Sequence, residues 1–114
     1  MINEWLDIFK LGWVTKNVEK VMDLFTDDVE YWENPHHKLQ GKDIIENEWN
    51  AIFKQDNVVL GLEIFSSINE KHTVLWNLQY VDDKAEMQSW AGTYLIKLDQ
   101  TGKCNYFHQT GEKR

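Results

Sequence analysis

Leu24-Phe25-Thr26-Asp27-Asp28-Val29-Glu30-Tyr31-Trp32-Glu33-Asn34-Pro35-His36, closing a few residues later on Gly41, decides the fold. An apolar helix end at Leu24-Phe25 meets an acidic turn at Asp27-Asp28, and a short strand from Val29 to Glu33 follows with two aromatic residues. Proline disfavours helix at the residue before it. Asn34-Pro35 is therefore a bend, which turns a side-chain amide and the His36 imidazole back toward whatever the strand faces. Such a segment walls a pocket.

Upstream of it, Ile2, Trp5, Leu6, Phe9 and Trp13 recur at three- and four-residue spacing, the stripe of an amphipathic helix ending near Gly12. Asn17 is placed to cap a second helix, with Val18, Val21, Met22 and Phe25 as its stripe and Asp27-Asp28 as its stop. Downstream, Lys42 to Lys54 carries Ile45, Trp49, Ile52 and Phe53 on one side, a third helix. From Asn57 the pattern changes to alternation. Val58 to Ser67, His72 to Val81, Met87 to Leu98 and Cys104 to Gln109 read as four strands joined by short polar turns. Helices first and a meander after them is an α+β order, with three N-terminal helices on one face of a curved antiparallel sheet.

The 114 residues form one expected domain, 1–114, with a single proline, six glycines and neither linker nor repeat. Nineteen acidic against twelve basic residues give a formal charge of −7, which repels nucleic acid and anionic membranes. The sole arginine is Arg114, so no interior guanidinium can clamp a phosphate or carboxylate. Nucleotides and acyl-CoA thioesters are thereby disfavoured as ligands. Cys104 is the lone cysteine, the start Met1-Ile2-Asn3-Glu4-Trp5 lacks a basic leader, and no apolar run approaches a membrane span. A cytoplasmic protein is the expectation. His36, His37, His72 and His108 lack the spacing of a metal site, so neither metal nor cofactor is expected.

Strand parity puts Val74, Trp76, Leu78 and Tyr80 on one face with Trp90, Gly92, Tyr94 and Ile96. These faces should meet the helices. Together with Trp32 and Trp49 they suggest a concave volume rimmed by aromatic rings, the make-up of a small-molecule pocket. Gly92 leaves room for a ligand there or marks a bend of the sheet. Inward aromatics are also ordinary core, and each single tryptophan is open to either reading. Six tryptophans are nonetheless many for this length, and each buried indole N–H wants a partner. The opposite face, with Leu75, Asn77, Gln79, Ala91, Thr93 and Leu95, is mixed and flat, which suits a sheet-to-sheet homodimer.

Taken in order, the helix stripe, Asp27-Asp28, Asn34-Pro35, Gly41 and the hairpin Asp99-Gln100-Thr101-Gly102-Lys103 resemble the nuclear transport factor 2-like superfamily, in its polyketide-cyclase-like (SnoaL-like) branch. The resemblance covers nearly the whole chain. It implies a cone-shaped, cystatin-like α+β fold that hosts enzymes, ligand binders and protein adaptors alike. It also implies that a general base flanks the proline, where Glu33, Asn34 and His36 stand. Ketosteroid isomerase-like members carry an aspartate immediately before that proline; here Asn34 cannot accept a proton. Their oxyanion-donating tyrosine falls at Phe9 and their protonated aspartate at Tyr94, so ketosteroid isomerase activity is not expected. The absent interior arginine likewise departs from the Asp-Arg-Asp arrangement of the epoxide-hydrolase branch.

The expected catalytic set is His36 as acid or base, Glu33 to orient it and Tyr94 to polarise a carbonyl. The expected ligand-binding set is Trp32, Asn34, Trp49, Trp76, Tyr80, Trp90 and Phe107. His36 and His37 point apart, and a solvated loop histidine is the competing reading of each. Three functions stand beside one another: a cofactor-independent cyclase, isomerase or dehydratase; a non-catalytic binder of a neutral, largely apolar small molecule; and a protein-interaction module.

Overall fold

The computed structural model describes residues 1–114. Its order is α1 (Ile2–Val14), α2 (Val18–Met22), β1 (Phe25–Asn34), β2 (His37–Leu39), α3 (Lys42–Ile52), β3 (Asp56–Ile68), β4 (Lys71–Val81), β5 (Met87–Leu98) and β6 (Cys104–Lys113). The strands form one curved, open sheet in the order β2-β1-β6-β5-β4-β3, antiparallel except where β1 runs parallel to β6. The three helices precede most of the sheet and lie against its concave face, the α+β arrangement expected. No helix is long and apolar enough to cross a membrane.

Each helix forms where an apolar stripe can be buried. On α1 the stripe Ile2, Trp5, Leu6, Phe9 and Trp13 is buried, and the Trp5 indole donates to the Leu24 carbonyl at 3.0 Å. Asn17 caps α2 by accepting from the Lys20 amide. That helix stops at Met22, and Phe25 opens a strand instead of ending a helix. Asp27 and Asp28, expected as a turn, are exposed positions within β1. A five-residue helix has few internal hydrogen bonds to defend its end, so pairing of Phe25 with Cys104 on β6 prevails.

Phe107 sits at the centre of the core, fully buried. Its ring stacks on Tyr31 at 4.9 Å, meets Phe25 perpendicularly at 5.6 Å and touches Tyr94 at 4.9 Å. Phe9 closes the same cluster from α1, 6.1 Å from Phe107 and 5.5 Å from Trp49. Burying each such side chain contributes about 1.5–3 kcal/mol.

Gly92 has a packing reason rather than a ligand reason. A Cβ there would lie 1.9 Å from the Thr110 carbonyl oxygen, because β5 and β6 approach closely at this point. Its neighbour across the ladder, Gly111, leaves the space that the Trp76 ring fills, since a Cβ would come within 2.5 Å of Trp76 Cζ2.

Candidate functional site

Between α3 and the inner faces of β4, β5 and β6 lies a cavity of about 240 Å³. Its walls are aromatic: Trp13 and Trp49 from the helices, Trp76 and Tyr80 from β4, Trp90 and Tyr94 from β5. Leu78 and Ile52 complete the apolar lining, and Glu48, Gln55 and Gln109 supply polar groups. Glu48, Ile52, Trp90 and Gln109 also border an outer cleft of about 340 Å³, which Tyr31, Glu33, Asn34 and Gly111 help to line. The two spaces are thus inner chamber and mouth of one hollow. A larger concavity of about 620 Å³ lies elsewhere, lined by Ser66, His72, Thr73, Leu95, Lys97 and Tyr106, and has no buried unpaired polar atom on its walls.

The hydrogen-bonding state of the indoles singles out the inner chamber. Trp49 donates to the Tyr31 hydroxyl at 3.1 Å and Trp13 to the Gln55 side-chain oxygen at 3.2 Å. Trp76 and Trp90 have no such partner, although both indole nitrogens are buried. An unmatched buried donor costs on the order of 1–3 kcal/mol, and native proteins leave few of them.

The electrostatics are one-sided. No lysine, arginine or histidine lines either space. Burial raises the Glu48 carboxyl above its ordinary pKa, Glu33 raises it further, and His37 pulls it back. Burial, with Tyr31 beside it, raises the Tyr94 hydroxyl well above the usual phenol range, so it stays protonated and can donate. Tyr31 is raised too, chiefly by burial and against the bond from Trp49.

The expected site residues divide. Trp49, Trp76, Tyr80, Trp90 and Tyr94 come together around the chamber, and Glu33 and Asn34 reach its mouth. Phe107 lies behind them as core. Trp32 is on the opposite face of the sheet, where its indole donates to Glu30 at 2.8 Å and Lys38 sits 5.6 Å above the ring. The reason is parity: with Tyr31 and Glu33 turned inward, Trp32 must turn out. The Asn34 side chain is exposed and spent on the bend, accepting from the His36 amide at 2.8 Å. His36 itself is exposed and borders neither space. The imidazole that Glu33 contacts belongs to His37, one position further on. His36, Glu33 and Tyr94 are therefore not gathered into one constellation.

Glu48 is the residue that sequence reading passed over. A signal was present: it falls three residues after Ile45 and four before Ile52, on the buried stripe of α3. A carboxylate on such a stripe asks for an explanation.

By sequence, no family model and no curated protein matches this chain. By structure it is similar to a nuclear transport factor 2-like protein of unknown function from Exiguobacterium sp. 255-15, at a TM-score of 0.79 and 15% identity over 97% of both chains. It is similar to the Δ5-3-ketosteroid isomerase of a Mycobacterium species, with a TM-score of 0.82 and 12% identity over 97% of this chain and 96% of that one. It also resembles SalBIII, an epoxide hydrolase/cyclase-like enzyme of pyran ring formation in salinomycin, at a TM-score of 0.85 and 10% identity over 96% and 89% of the two chains. The fold is nuclear transport factor 2-like.

Proposed function

We propose that residues 1–114 are one small-molecule-binding domain whose aromatic chamber takes a neutral, largely apolar ligand. The observation that carries this reading is the lining of the chamber, six aromatic rings with three polar side chains among them. Of these residues, Trp76 and Trp90 have buried indole N–H groups with no partner, as do polar atoms of Thr26, Asn105 and His108 elsewhere in the fold. A chamber of about 240 Å³ is smaller than the usual range for drug-sized ligands, so the portion of the ligand inside it is of one- or two-ring size. Similar folds serve an isomerase and a cyclase-like enzyme, which supports a small molecule as the partner. Tryptophan emission and thermal unfolding, followed against a panel of small aromatic and terpenoid compounds, test the reading. Joint quenching of the chamber indoles with a raised Tm is the expected result; a panel that moves neither overturns it.

Non-catalytic binding is favoured over turnover because His36 stands outside the chamber and Asn34 is committed to the bend. In a catalytic version, Glu33 and Tyr94 keep their proposed roles, and the His37 imidazole beside Glu33 lies outside both spaces. The outer sheet face, with Leu75 and Leu95 about two-fifths exposed and Phe65 largely so, is proposed as a homodimer contact in a cytoplasmic protein. Light scattering at micromolar concentration tests the contact, and Leu95→Glu should dissociate the dimer by setting like charges across a two-fold axis.

A further inference from the structure

Glu48 occupies the junction between chamber and mouth and makes neither a hydrogen bond nor an ion pair within the protein. The groups around it explain why it is left free. From β1 come Glu33 and the Tyr31 hydroxyl, from β2 His37, and His37 is already engaged by Glu33. From β4 and β5 come the phenols of Tyr80 and Tyr94, and β6 offers the uncharged Gln109. Among the charged groups His37 alone favours the ionised carboxylate, and it makes no direct ion pair with Glu48. Across the chamber the complementary fault appears: the Trp76 ring is 5% exposed, and its N–H has no acceptor. Glu48 is thus a partly exposed acceptor at the neck of the hollow with no partner in the protein, and the Trp76 N–H is a buried donor with none.

Resting on the ligand-binding reading above, we infer that Glu48 is the specificity-determining residue of the hollow, selecting a neutral hydroxylated aromatic molecule whose O–H it accepts and rejecting anions. The rings of Trp49, Trp76, Trp90 and Tyr94 offer faces and edges to an aromatic body. Glu33 and Glu48 together, with no cation lining either space, repel a carboxylate, sulfonate or phosphate at the mouth.

Calorimetric titration with three probes of one shape tests this: 2-naphthol, which donates a hydrogen bond; 2-methoxynaphthalene, which cannot; and naphthalene-2-sulfonate, which is anionic at every accessible pH. The naphthol should bind about tenfold or more tighter than the ether at neutral pH, the gain expected of a hydrogen bond to a charged acceptor, and the sulfonate should bind weakest. Glu48→Gln should reduce the naphthol advantage to under about threefold and relieve the discrimination against sulfonate. The unmodified protein gives a second test that needs no variant. Lowering the pH through the Glu48 titration should weaken naphthol and strengthen sulfonate, opposite slopes that a general loss of structure cannot produce. Equal affinities for naphthol and ether, or an advantage that survives Glu48→Gln, overturn the role of Glu48 and leave the chamber as a ligand site. Failure of all three probes to bind overturns both.

Discussion

The lower and upper halves of the concave sheet face are built from the same residue types and solve different problems. Around Phe107 the rings of Phe9, Phe25, Tyr31 and Tyr94 interlock, and the indoles that border them, Trp5 and Trp49, each donate to a defined oxygen. Trp76 stacks on Tyr94 at 5.4 Å and lines the chamber together with Trp90, and the N–H groups of both are left unmatched. Aromatic content alone does not separate core from pocket. The hydrogen-bond state of the indole edges differs between the two regions, while polar atoms without a partner also occur at Thr26, Asn105 and His108, away from the chamber.

Truncation breaks the comparison most severely. Phe107→Ala should cost about 3–5 kcal/mol in urea denaturation, since it opens a void among five close rings. Trp90→Ala, on the partly exposed mouth, should cost no more than about 1.5 kcal/mol. Equal costs would mean that the upper half is packed like the lower. A narrower comparison keeps ring loss nearly constant and varies only the polar edge. Trp49→Phe removes the donor to the buried Tyr31 hydroxyl, whereas Trp76→Phe removes a donor that has no partner. The first should be more destabilising than the second by about 1–2 kcal/mol.

Glu48→Gln sharpens the comparison through pH. Burial raises the folded-state pKa of Glu48 above its ordinary value, so between the two the folded protein holds more protons than the unfolded chain. Wild-type stability from this group is therefore greatest at acid pH, declines as pH climbs through that interval and levels off above the folded pKa. The glutamine variant lacks this decline, and its stability relative to wild type should rise over the same window in denaturation at a series of pH values. The effect is smaller than the two above because water reaches the carboxyl. Asn34→Asp should have the smallest effect, within about 0.5 kcal/mol, because an aspartate at this exposed bend accepts the same bond from the His36 amide.

Much of the architecture was legible because burial imposes a period. The α1 stripe and the alternation of Val74, Trp76 and Leu78 against Leu75, Asn77 and Gln79 both follow from one buried side. The illegible parts lack that constraint or obey a competing one. His37–Leu39 is a strand of three residues, too short to display alternation. Phe25 continues the helical spacing of Val21 and Met22 yet pairs across a long sequence gap, which no local pattern announces. In the site, Trp76, Tyr80, Trp90 and Tyr94 could be grouped from parity alone. Trp32 was drawn in with them on aromatic character, although the same parity rule applied to Tyr31 sends it out. Glu48 was overlooked because an apolar stripe is read for what it contains rather than for what interrupts it.

The parallel ladder between β1 and β6 has a kinetic meaning. It joins Tyr31 near the start of the chain to Phe107 near its end, and this union sets the Tyr31 side of the mouth against Gln109 and Gly111. Loop-closure entropy makes such a pairing slow to form. The hollow should accordingly be among the last features to assemble during refolding and among the first to loosen when β6 detaches. A bound molecule bridging the α3 and β6 sides would slow that detachment, and retarded amide hydrogen exchange along β6 would be its signature.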